Sequence, residues 1–140
     1  MTGRLPVRIY YEDTDAGGVV YYANYLKYLE RGRTEFLRSL GVEQRELAHS
    51  TGLAFAVRSL SAEYLKPAVL DDELVVTTAV EALGRAQVTF AQSIGRAKGN
   101  LLEILLTATV RVACLDLAKG RATAMPKALH EKLKELNPSL

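Results

Sequence analysis

Between Arg8 and Tyr25 the chain reads RIYYEDTDAGGVVYYANY, and this run organises everything on either side of it. Upstream, Leu5 to Tyr11 predicts a short strand with Val7, Ile9 and Tyr11 on one face. Glu12 to Gly18 is a polar, glycine-containing loop that ends the strand. Val19 to Tyr22 then leads into a helix over Ala23 to Leu40, whose apolar side is Tyr25, Leu29, Phe36 and Leu40. Gly41 stands where a helix C′ residue belongs. Gly32 falls on the apolar side in mid-helix, where glycine costs about 1 kcal/mol relative to alanine. Close approach of the helix backbone to a flat neighbour, such as a sheet, would offset that cost.

The rest of the chain is strand-rich. Phe55 to Tyr64 alternates and stops before Pro67, which has no N–H for a ladder. Asp71 and Asp72 mark a turn before the alternating segment Leu74 to Val80. Gly84 and Arg85 turn the chain into Gln87 to Ile94, with Val88, Phe90 and Ile94 on one face. Lys98, Gly99 and Asn100 turn it again into a long strand, Leu101 to Leu117, with Leu102, Ile104, Leu106, Val110 and Val112 in one row. Short turns between successive strands predict an antiparallel meander. Pro126 opens a terminal helix reaching Leu136, with Leu129, Leu133 and Leu136 as its stripe. The class is α+β, with one long helix covering one face of a curved sheet. The uncovered face predicts a dimer or larger assembly.

The chain has 140 residues and a formal net charge of +2, with acids and bases interspersed, which predicts one domain and no nucleic-acid arm. Its single cysteine, Cys114, lies in an apolar run and reads as a small buried hydrophobe. With no secretory signal over Met1 to Pro6 and no apolar run long enough to span a bilayer, the expectation is a cytoplasmic protein. His49 and His130 stand in no motif and read as surface or structural residues.

Three carboxylates, Glu12, Asp13 and Asp15, crowd the loop before the helix, and three chemistries compete for them. Asp13-Thr14-Asp15 opens like a calcium loop, but Gly17 stands where the next oxygen ligand should fall, and it also breaks an aspartyl-phosphate pattern. Turn formation is the ordinary role of such residues and accounts for Glu12 and Asp13. The third reading is a catalytic carboxylate beside a helix N-terminus. Free N–H groups near Tyr22 to Asn24 would polarise a carbonyl, and Gly17 and Gly18 would let a ligand approach the backbone. That pairing suits acyl transfer from a thioester, whose thiolate leaves with little acid assistance.

The run Glu12 to Tyr21, EDTDAGGVVY, with Tyr25 beyond it, resembles the signature of hot-dog-fold thioesterases of the 4-hydroxybenzoyl-CoA type. From Pro6 to Tyr21 it is most similar to the YbgC-like, Tol-Pal-associated branch. Glu30-Arg31, Arg33-Thr34-Glu35, Ala54 to Arg58, Glu63-Tyr64, Pro67-Ala68 and Leu70-Asp71-Asp72 extend the resemblance over Val7 to Lys127. It implies an antiparallel sheet of about five strands wrapped around one long helix. It also implies that Asp15 is the catalytic carboxylate and that the Tyr22 backbone N–H polarises the thioester carbonyl, with the Gly18 backbone as a second donor. The YbgC-like branch usually carries His where this chain has Tyr22, so imidazole assistance is absent.

The resemblance further implies hydrolysis of an acyl-CoA with a short-chain or aromatic acyl group, and a homodimer that assembles to a tetramer with its sites at the dimer interface. Coenzyme A enters only as part of the substrate, and no metal or redox cofactor is implied. Arg85, Arg96 and Lys98, at or near turns, are candidate cations for the CoA phosphates. Tyr64 and Arg58 would line the pocket or simply pack. An acyl-carrier-protein thioester is the alternative substrate, and a non-hydrolytic hot-dog protein or a scaffold at the inner membrane surface is the alternative function.

Overall fold

The computed structural model describes residues 2–140, so Met1, the first residue of the stretch read for a leader, lies outside them. The elements are β1 (Gly3–Arg8), α1 (Asn24–Ser39), α2 (Gln44–Thr51), β2 (Leu53–Tyr64), β3 (Glu73–Leu83), β4 (Gln87–Lys98), β5 (Leu101–Asp116), β6 (Arg121–Ala122) and α3 (Lys127–Leu136). One antiparallel sheet runs β1-β3-β4-β5-β2, with β6 a two-residue addition to β5. The sheet curls around α1, which packs on β1, β3 and β4.

Gly32 explains how close that packing is. A Cβ there would lie 2.7 Å from Val76 Cγ1 and 3.0 Å from Thr78 Oγ1, so only glycine lets α1 settle onto β3. Phe36 and Phe90 meet edge to face at 6.0 Å, and Tyr28, Leu29, Phe90 and Ile94 are buried around them. At the other end of α1, Gly41 adopts φ +87; its N–H donates to Arg38 O and that of Val42 to Leu37 O, both at 3.0 Å. This is the glycine stop read from the sequence, a Schellman motif.

Three expectations need correction. The first strand ends at Arg8, and although Ile9 continues its buried row, Tyr11 is 82% exposed. Tyr11–Asp13 instead forms one 3-10 turn, secured by the Tyr10 N–H donating to Asp13 Oδ2 at 2.7 Å. Second, the row on β5 is broken. Ile94 pairs with Leu106 but Gly95 with Ile104, so Leu105 is an extra, bulged residue. Leu102 and Ile104 therefore lie on the face opposite to Leu106, Val110 and Val112. Third, α2 has no counterpart in the sequence reading; its only apolar residues are Leu47 and Ala48, and none of its residues is buried.

Candidate active site

The Asp15 loop is a small hairpin. Asp15 N–H donates to Val19 O at 2.8 Å, Tyr21 N–H donates to Asp13 O at 3.0 Å, and Thr14 and Val20 form a bridge between them. Asp15 Oδ1 accepts from Gly17 N–H at 2.8 Å and Val19 N–H at 3.4 Å. Its Oδ2 accepts no hydrogen bond among the described residues, and the residue is exposed. One oxygen is thus fixed by the turn and the other is presented outward. Asp13 behaves as the sequence reading had it, as a turn former.

Gly18 corrects one expectation. Its N–H is not a free donor, because it donates to Asp15 O at 3.0 Å. The residue matters for its φ of +81, a conformation that side chains disfavour. Tyr22 is different. Neither the Tyr22 nor the Ala23 N–H has an acceptor among the described residues, whereas the Asn24 N–H is used by Tyr21 O at 2.9 Å. Two adjacent unpaired donors therefore lie at the entrance to α1, which is where an oxyanion would be stabilised.

A second loop carries this hairpin. Val20 N–H donates to Ala68 O, and Val19 bridges Val69, so residues 65–72 support the Asp15 hairpin from behind. Tyr25 Oη accepts from Ala68 N–H at 2.9 Å, and burial pushes the Tyr25 phenol above its ordinary pKa, which keeps it protonated. Asp72 Oδ2 accepts from Val69 N–H at 2.9 Å and from Arg96 Nη1 at 2.7 Å. Arg96 also donates to Glu103 Oε1 at 2.8 Å and to Pro67 O at 3.2 Å.

These bonds bear on the three candidate cations. Arg96 is only partly exposed and already holds two carboxylates, so it positions the 65–72 loop, and a phosphate would have to displace Asp72 or Glu103. Lys98 lies beside it, mostly exposed, 3.1 Å from Glu103 Oε1. With Lys66 as a third partner of Glu103, the cluster has three cations against two carboxylates. Arg85 is elsewhere. It lies just past the far end of β3 from Asp72, a strand of 11 residues spanning about 35 Å, in a cleft with Lys119 and Arg121.

The sequence allows Tyr64 either to line the pocket or simply to pack, and the structure gives it a contact. Its hydroxyl donates to Tyr22 O at 3.1 Å, and its ring meets Tyr25 edge to face at 5.5 Å. Arg58 is the extra residue of a bulge in β2, between Val57 and Ser59, and is exposed. Among the described residues no cluster of three or more His, Cys, Asp or Glu side chains could hold a metal, and no helix is long and apolar enough to cross a membrane.

A family model described as the thioesterase-like superfamily matches residues 10–133. The chain belongs to that superfamily. Within it, the acyl-CoA thioesterase YbgC of Haemophilus influenzae is 50% identical over 122 residues, covering 87% of each chain. The acyl-CoA thioester hydrolase YbgC of Escherichia coli is 42% identical over 132 residues, covering 94% of this chain and 96% of that one. These relatives place this superfamily member in the YbgC-like branch. A probable thioesterase from Bartonella henselae superposes with a TM-score of 0.80 at 34% identity, over 90% of this chain and all of that one. A 4-hydroxybenzoyl-CoA thioesterase in complex with 4-hydroxybenzoyl-CoA shares the hot-dog fold, with a TM-score of 0.87 at 21% identity over 93% of this chain and 96% of that one.

Proposed function

We propose that this protein hydrolyses acyl-CoA thioesters, with short-chain or aromatic acyl groups, to a free acid and coenzyme A. The observation that carries the reading is the pair of unpaired N–H groups at Tyr22 and Ala23, beside a hairpin that presents one free oxygen of Asp15. YbgC relatives at 42–50% identity carry acyl-CoA thioesterase names, which supports the same chemistry here.

In the reaction the thioester carbonyl oxygen accepts from the Tyr22 N–H. Asp15 Oδ2 takes a proton from water as the water oxygen attacks the carbonyl carbon. The intermediate collapses, the C–S bond breaks, and the proton passes to the leaving thiolate. In the nucleophilic variant Oδ2 itself attacks and expels the thiolate, and water then cleaves the mixed anhydride. Both use the same free oxygen, and a single turnover in isotope-labelled water separates them, since only the anhydride route can place label in Asp15.

The CoA phosphates meet Lys98 at the mouth of the site, with Arg96 holding the loop behind it. The assembly is a homodimer, and pairs of dimers form the tetramer. Its driving force is apolar surface around the free edge of β2, where Val57, Tyr64 and Leu65 are half exposed. The protein works in the cytoplasm, where its one thiol, the buried Cys114, stays reduced.

The test is thiol release over a panel of acyl-CoAs and acyl-carrier-protein thioesters, for wild type and Asp15→Asn. Turnover that falls by about 10²–10⁴ in the variant supports the reading. Full activity in Asp15→Asn would remove Asp15 from its role, and tight binding without turnover would favour a non-hydrolytic module.

A further inference from the structure

The two strands of the hairpin that carries Asp15 are held in different ways. The second strand, residues 19–21, is fastened to the loop behind it: Val20 N–H donates to Ala68 O at 2.9 Å, and Val19 bridges Val69. The first strand, residues 13–15, makes no hydrogen bond to that loop among the described residues. Asp13 and Thr14 bond back to Tyr10 and Tyr11 in the 3-10 turn, and Asp15 bonds within the hairpin. Beyond turn and hairpin, one bond to this strand is left among the described residues. The Asn24 side chain donates from Nδ2 to Asp13 O at 2.9 Å.

Asn24 is the first residue of α1 and is half-buried. Its backbone N–H donates to Tyr21 O at 2.9 Å, while Tyr21 N–H donates to the same Asp13 O at 3.0 Å. Asp13 O thus accepts two hydrogen bonds, the full capacity of a carbonyl oxygen. Through its backbone and its side chain, one residue joins the strand bearing Asp15 to the helix end where the Tyr22 and Ala23 N–H groups are unpaired. A two-stranded hairpin is marginal on its own, so this outside bond matters to where the first strand sits. Tyr28, one turn on along α1, lies near Asp13 without bonding it. Burial and the Asp13 carboxylate push its phenol pKa up, and its hydroxyl makes no hydrogen bond.

We propose that Asn24 is a positioning residue for the hydrolysis: by holding Asp13 O, it sets the reach from the free oxygen of Asp15 to the carbonyl carbon of a thioester whose oxygen lies on the Tyr22 N–H. This rests on the thioesterase reading above and adds a residue that acts through the placement of another. Asp15 is two residues from the tethered peptide and moves with it. A displacement of about 1 Å at a reacting group lowers a rate by as much as about 10²-fold. Without the tether the Asp15 turn keeps its own bonds, because those with Gly17, Gly18 and Val19 lie inside the hairpin. What is lost is aim.

The experiment measures steady-state thiol release from acyl-CoAs for wild type, Asn24→Ala, Asn24→Leu, Asp15→Asn and the double variant Asp15→Asn with Asn24→Ala, with a thermal melt of each. Ala and Leu are strong helix formers, which offsets much of the lost hydrogen bond and favours folding of both single variants. Each is expected to lower kcat about tenfold to a hundredfold and to leave KM within about twofold, since the contacts to CoA are untouched. In the Asp15→Asn background, Asn24→Ala should change the residual rate by less than about twofold, because the group it aims is gone. Three outcomes overturn the positioning role and leave the thioesterase reading standing: a wild-type kcat in either folded variant, a KM that rises as far as kcat falls, or the same fold loss with and without Asp15. Failure of both single variants to fold makes Asn24 a folding residue and overturns it too. Absence of turnover with every acyl-CoA overturns both readings.

Discussion

The Tyr64 hydroxyl donates to the Tyr22 carbonyl oxygen at 3.1 Å, which fastens the last residue of β2 to the entrance of α1. The adjoining peptide carries the N–H proposed to meet the thioester oxygen, so loss of this bond is expected to loosen that donor. Tyr64→Phe keeps the ring against Tyr25 and loses only the hydroxyl. The expected result is a several-fold lower kcat with KM nearly unchanged, and a stability loss of about 0.5–1 kcal/mol, because the bond is exposed. Steady-state kinetics and a thermal melt read the two effects.

Asp15 has two separable duties. Asn at this position retains an oxygen able to accept from Gly17 and Val19 N–H, so Asp15→Asn should lose turnover and keep the hairpin. Asp15→Ala removes both acceptances and should lose turnover to a similar extent while also lowering the melting temperature, by about 1–2 kcal/mol of stability. Comparing the two melts separates chemistry from loop support.

Gly32→Ala tests the seat of α1 on the sheet. Helix propensity alone would make the change favourable by about 1 kcal/mol. The new methyl would stand 2.7 Å from Val76 Cγ1 and 3.2 Å from Gln92 Nε2, against a packed strand face. Overpacking of this kind costs about 1–3 kcal/mol, so the net effect expected in a denaturant titration is destabilisation.

Glu103 should make stability depend on acid. Hydrogen bonds from Lys66, Arg96 and Lys98 pull its carboxyl down from 4.5 to about 2. A depressed folded-state value contributes stability above the unfolded pKa and loses it as pH falls toward the folded one. The stability difference between wild type and Glu103→Gln should therefore be constant at neutral pH and shrink as pH drops from about 4.5 to about 2. A difference that does not change across that window would detach Glu103 from the acid response.

The three cations separate by position. Lys98→Ala should raise KM for an acyl-CoA several-fold, with a stronger effect at low salt. Arg85→Ala should leave KM within about twofold, since roughly 35 Å of strand separates its turn from Asp72. Arg96→Ala should lower kcat and stability together, because it frees the loop that supports Asp15.

Much of this was legible in the chain. The α1 stripe, the glycine stop at Gly41, the close approach at Gly32 and the Asp15 loop before a helix all follow from local patterns that tertiary contact reinforces. Even the β2 bulge leaves a trace, since Phe55 and Val57 are out of step with Leu60, Ala62 and Tyr64. Other features leave none. α2 has only Leu47 and Ala48 as apolar residues, too few for a periodic signal to stand out. Leu105 sits in an unbroken apolar run, where an extra residue changes no polarity and the flip of Leu102 and Ile104 is invisible.

Hydrophobic period, capping and turn chemistry act over a few neighbouring residues, so β1 to β5, α1, α3, the family resemblance and the carboxylate before the helix can be read from the letters alone. Which donors are free and which charges are spent depends on the folded sheet. Gly18 and Tyr22 look equally available in a string of letters, yet one N–H closes a turn and the other has no acceptor among the described residues. Arg96 and Arg33 are both arginines in patterned segments. One is neutralised by Asp72 from the loop before β3 and by Glu103, its cross-strand partner on β5, and the other is buried on Gln92 with no ion pair among the described residues. Hydrogen bonds and ion pairs are settled by which side chains meet in space, and that meeting is fixed by the packing of the whole sheet.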